Sequence, residues 1–231
     1  MDKVKVPARV LKHRARVRDY SARIRLAEMA SRDVLSEYGR GVALGWYRIE
    51  RARLEVIASD IRAERGMAPD DLPAATVIAA AATLSPATSW AHLMADLPAF
   101  IAAALDGHGA PPFATYGAQR VKAAKIVRDR LGIEAVTGPK VSAFARALSG
   151  DASAVVIDRH AARIATGDDT VVGVGLAELR AMQEAYGRVA ESLSLEPSGL
   201  QALVWVARVG FGGEYGNSPI GLTSLPASEA K

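Results

Sequence analysis

Lys140 and Asp158 are the two side chains of this sequence whose types and spacing could do chemistry together. Lys140 follows Gly138-Pro139 and falls in the first turn of a predicted helix. Proline suits that turn, because its missing amide would have no partner there anyway. Asp158 comes eighteen positions later, where the apolar run Val155-Val156-Ile157 meets the next predicted helix. A lysine amine is a nucleophile that forms Schiff bases with carbonyl carbons. A carboxylate can accept a proton or stabilise a developing positive charge. Each residue also has an ordinary role. A lone lysine is most often solvated, and an aspartate directly before a helix is a favoured N-cap. Capping and chemistry are compatible, since one carboxylate oxygen can bond helix amides while the other faces a pocket.

The elements that must position this pair are helical. Half of the 231 residues are apolar, many of them alanine, and strand formers are sparse, so the expected fold class is all-α. Residues 8–37 carry a thin apolar stripe (Val10, Val17, Ile24, Leu26) on a basic helix that Gly39 and Gly41 interrupt. Residues 46–65 form a stronger amphipathic helix with Ile49, Leu54, Val56, Ile57 and Ile61 as its core face. Residues 74–84 predict a buried helix ending at Ser85-Pro86, where proline restricts the residue before it. Residues 90–105 follow, with Pro98 as an internal kink or break. A basic helix over 117–131 turns Val121, Ala124, Val127 and Leu131 inward. Helices over 139–148, 158–165, 176–193 and 200–209 complete the pattern. The expected organisation is a basic arm or surface helix over 1–45, a helical domain over 46–212 and a flexible tail over 213–231.

Charge and cysteine content narrow the functional classes. The net charge is +4, yet residues 1–30 alone hold nine Lys/Arg against three Asp/Glu. A basic leader on a near-neutral body fits a polyanionic partner such as DNA, or a solubilising segment. The absence of cysteine excludes disulfides and any cysteine-ligated cluster. The four histidines show no i, i+4 pair, so neither a metal nor a cofactor is expected. No apolar run is long enough to span a bilayer, and the N-terminus lacks a signal-peptide pattern. A cytoplasmic location without membrane attachment is the expectation; oligomeric state is left open.

The segments TGPKVSAF at 137–144 and VVIDRHAARIA at 155–165, with the helix pair over 117–148, resemble the helix-hairpin-helix DNA glycosylases of the endonuclease III type. The chain is also similar to divergent phage and prophage members of that superfamily. The resemblance implies a two-lobed helical bundle with a helix-hairpin-helix motif. It implies that Lys140 attacks the sugar C1′ and expels a damaged or modified base. Asp158 would stabilise the cationic sugar, and AP-lyase activity would follow through Lys140. Lys122, Lys125 and Gly138 would meet DNA at the hairpin, with His160 and Arg163 near the carboxylate. The segment TLSPATSW at 83–90 is similar to the part that enters the minor groove, which makes Ser85 and Trp90 candidates for DNA contact.

The departures are specific. Val136 stands where the hairpin's first glycine would fall, and Ala87 stands where relatives often carry a glutamine wedge. Two alternatives remain in view. One is a phage-type transferase that modifies a base on the same fold; the other is a DNA-binding module without catalysis.

Overall fold

A computed structural model describes residues 7–209, and the tail expected over 213–231 lies outside these described residues. They form ten α-helices and no strand. The helices are α1 (Ala8–Val34), α2 (Glu37–Leu44), α3 (Trp46–Arg65), α4 (Ala74–Leu84), α5 (Trp90–Leu105), α6 (Gly117–Arg128), α7 (Pro139–Leu148), α8 (Arg159–Thr166), α9 (Leu176–Ser192) and α10 (Pro197–Val209). No helix among the described residues is long and apolar enough to cross a membrane.

α4 is the central rod of the first half. Ala79, Ala80, Ala81 and Ala82 are fully enclosed, together with Val77 and Leu84. Alanine costs no side-chain entropy in a helix and lets neighbours approach closely. Consequently α3, α5, α6 and α7 all pack against α4. Leu54, Leu93, Leu97, Phe100, Ile126 and Leu148 complete this apolar cluster. A second cluster joins α1, α8, α9 and α10 through Val17, Ile24, Ile164, Met182, Tyr186 and Leu200.

The two clusters meet along an extended segment, residues 154–157. Ala154 and Val156 belong to the first cluster, whereas Val155 and Ile157 belong to the second. This is the period-two alternation of extended chain, used here to join two bodies rather than to build a sheet. α10 bridges the clusters as well, with Ala202 in the first and Leu200 and Val204 in the second. Asp158 stands at the end of this seam.

Several expectations are corrected. The basic N-terminal segment is not an arm apart from the body, because α1 packs on α8, α9 and α10. Its buried stripe is Val17, Tyr20, Ile24, Glu28 and Ser31, spaced three or four apart. The stripe looks thin in sequence because two of its members are polar, and Leu26 is exposed. Glu28 is enclosed by design of its partners: Arg40 Nη2 donates to its Oε1 at 2.9 Å and Arg32 Nη2 at 3.2 Å. That arrangement ties α2 to α1. Gly39 and Gly41 do not break the chain; they lie inside α2, whose N-cap Ser36 accepts from the Gly39 amide at 3.1 Å. α5 likewise runs through Pro98. Ile49, Val56 and Val121, expected in the core, are exposed, and Ile126 takes the inward position on α6.

Candidate active site

Lys140 and Asp158 line the same cleft, of about 780 Å³, at the seam between the two clusters. Lys140 is exposed in the first turn of α7. Gly138 caps that helix at φ 95° and ψ 136°, a conformation L side chains rarely adopt, although a Cβ there would meet nothing. The glycine is therefore required by backbone conformation rather than by space. Val136 has ordinary extended dihedrals and a buried side chain, so nothing in its backbone calls for a glycine. Asp158 is half-buried and caps α8, its Oδ1 accepting from the Ala161 amide at 2.7 Å. Only one carboxylate oxygen is engaged by that cap.

The cleft wall is aromatic. All three tryptophans, Trp46, Trp90 and Trp205, line it with Tyr47 and Phe144. Trp46 is the hub, with ring centroids 5.0 Å from Tyr47, 5.4 Å from Trp90, 6.1 Å from Trp205 and 6.2 Å from Phe144. Phe144 lies nearly parallel to Trp46 and edge-on to Trp90. Such pairs add roughly 0.5–1.5 kcal/mol each beyond the area they bury. These rings come from α3, α5, α7 and α10, so the wall depends on the whole fold. At the mouth, Tyr116 and Val172 are strongly exposed.

Behind the rings lies a buried polar layer. The Trp90 Nε1–H donates to Glu50 Oε2 at 2.8 Å, and Arg53 Nη1 donates to Glu50 Oε1 at 3.1 Å. Trp90 is accordingly a buried, fixed part of the wall. Burial pushes the Glu50 carboxyl above its ordinary value, partly opposed by Trp90 and Arg53. A raised folded-state value makes the contribution of Glu50 fully present below the ordinary carboxyl range and lost as pH rises through the raised value. Thermal melts from about pH 4 to pH 7 should therefore show wild type losing ground relative to Glu50→Gln. A constant gap between the two proteins would contradict this.

The Tyr47 hydroxyl donates to Gln201 Oε1 at 2.6 Å. Burial, with Asp158 and Tyr186 nearby, raises the Tyr47 phenol well above its ordinary value, so it stays protonated. Tyr186, fully enclosed behind it, is raised for the same reason. His160 lines the cleft half-buried; burial lowers its imidazole value and Asp158 opposes that shift.

Among the other residues singled out from sequence, Ser85 and Trp90 reach the cleft and four do not. Ser85 Oγ donates to the Ala82 carbonyl at 2.9 Å, closing α4. Ala87 lies in the same loop at φ 64°, a left-handed conformation uncommon for a residue with a Cβ. Lys122, Lys125, Gly138 and Arg163 are outside the cleft lining. Lys122 Nζ reaches Thr137 Oγ1 at 3.5 Å across the connection between α6 and α7, and Lys125 pairs with Asp129. Arg163 Nε donates to the Val171 carbonyl at 3.0 Å, bracing the loop that carries Val172. Trp46, Tyr47, Phe144, Gln201 and Trp205 were not singled out. The signal available was the rarity of tryptophan, since each of the three lies at the cleft. No group of three or more His, Asp or Glu that could hold a metal occurs among the described residues.

No curated protein and no solved structure matches the chain. The sequence pattern of DUF7178, a family of unknown function, matches residues 37–211, from α2 through α10, and the chain belongs to that family.

Proposed function

We propose that this chain is a DNA glycosylase acting on a damaged or modified base, with AP-lyase activity through Lys140. The observation that carries the reading is the convergence of Lys140 and Asp158 on one aromatic-walled cleft. A base extruded from the helix would stack against the Trp46–Phe144 wall, a surface suited to a flat ring. The Lys140 amine would then form a bond to the sugar C1′ while the C1′–N bond breaks and the base leaves with the electron pair. Asp158, through the oxygen its cap leaves free, would stabilise the positive charge that develops on the sugar. Opening of the sugar ring gives a Schiff base between Lys140 and C1′.

Borohydride reduction tests this directly. Wild type incubated with duplex DNA carrying a modified base should yield a covalent protein–DNA adduct, and Lys140→Ala should yield none. Absence of an adduct on every substrate, with Lys140→Ala matching wild type, would remove the lyase chemistry. Base release that survives Lys140→Ala would instead make water the nucleophile. Salt-sensitive DNA binding without any base release would leave a binding module.

A further inference from the structure

Gln201 is nearly enclosed, only 3% exposed, and yet lines the cleft. Its two amide ends are not equivalent. The 2.6 Å separation from the Tyr47 hydroxyl suits O–H···O geometry and is short for N–H···O. The amide oxygen is therefore turned to Tyr47, and the amide nitrogen makes no hydrogen bond to a described residue. A second donor in the same wall, the Trp46 Nε1–H, is fully buried and has no acceptor among the described residues. Buried donors left unpaired are costly, and an occupant bearing acceptors would relieve that cost. Asp158, the carboxylate of the cleft, stands at the start of α8 and under the proposed chemistry serves the sugar rather than the ring.

We infer that Tyr47 locks the Gln201 amide so that the cleft offers its occupant hydrogen-bond donors. The cleft thereby selects a flat heterocycle with a carbonyl on the edge it presents over one with an exocyclic amine there. The inference rests on reading the cleft as a nucleobase site, but not on any bond being broken in it. A carbonyl accepts from the amide N–H, whereas an amine at the same place sets donor against donor and leaves both unpaired. Sites built to hydrogen-bond a particular group discriminate strongly against analogues that cannot answer it. Tyr47 touches no occupant through its hydroxyl in this scheme; it is a positioning residue.

Calorimetric titration of the full chain with free nucleosides tests the idea without DNA. Deoxyinosine should bind about tenfold or more tightly than deoxyadenosine, and deoxyuridine more tightly than deoxycytidine. Tyr47→Phe releases the amide to turn over, so the preference should shrink to within about threefold while deoxyinosine still binds. Gln201→Leu should also lose the preference, with weaker binding of the carbonyl-bearing pair. Circular dichroism melts establish that each variant folds; should Gln201→Leu not fold, Tyr47→Phe decides alone. No nucleoside binding, equal binding of both classes, or an unchanged preference in Tyr47→Phe would each overturn the inference. Selective binding by a protein that never releases a base would leave it standing and remove the glycosylase reading instead.

Discussion

Asp158→Asn is expected to lower base release by roughly 10²–10⁴-fold while leaving the fold almost undisturbed. The two consequences separate because the side chain has two duties. Its Oδ1 accepts from the Ala161 amide and closes the first turn of α8. Asparagine caps a helix about as well as aspartate, so the cap survives. What disappears is the negative charge facing the cleft, and an amide cannot stabilise a cationic sugar. Single-turnover base release and a thermal melt on the same preparation make the comparison. A large fall in melting temperature with a proportional fall in rate would mean that the residue matters as a cap. A rate close to wild type would remove Asp158 from the chemistry.

Ile24→Ala should destabilise the protein by roughly 2–5 kcal/mol, the range for truncating an enclosed aliphatic side chain. Ile24 is fully buried in the cluster that also holds Met182, Tyr186 and Ile157. The residue before Asp158 thus shares a cluster with α1. Loss of residues 1–30 would strip Val17, Tyr20 and Ile24 from the cluster shared with α8, α9 and α10, and Glu28 from Arg40 of α2. The expected result is a protein that does not fold, not one that folds and binds DNA more weakly. Urea denaturation of Ile24→Ala and solubility of the truncated chain are the measurements. A truncated chain with a wild-type melt would restore the picture of a detachable basic arm.

The helical scaffold was largely legible in the sequence because most breaks are made by residues with one strong local preference. Gly66, Pro73, Ser85-Pro86, Gly138-Pro139 and Gly167 each stand beside a helix end. α3, α4, α5 and α7 occupy the ranges their spacing predicts. The errors arise where tertiary partners outweigh local preference. α2 crosses two glycines because Ser36 caps it and Arg40 anchors it to the buried Glu28. α1 reads as an arm because Glu28 and Ser31 look like surface residues until their partners, Arg32 and Arg40, are placed. Within the site, Lys140 and Asp158 were legible through their helix-start positions. The aromatic wall was not, since its rings are separated by up to 159 positions, from Trp46 to Trp205. Only packing of α3, α5, α7 and α10 brings them together.

The convergence of every tryptophan on the cleft has an optical consequence. The chain has no other tryptophan, in or out of the described residues. Its tryptophan emission therefore originates from the cleft wall, with tyrosines contributing only at shorter wavelengths. A flat occupant lying against the rings would quench that emission, and one reaching only the rim at Tyr116 would leave it bright. Trp205, the partly exposed member, should respond first to aqueous quenchers, while Trp46 and Trp90 should be shielded. The protein thus carries an intrinsic reporter for any molecule that enters, readable before the natural occupant is known.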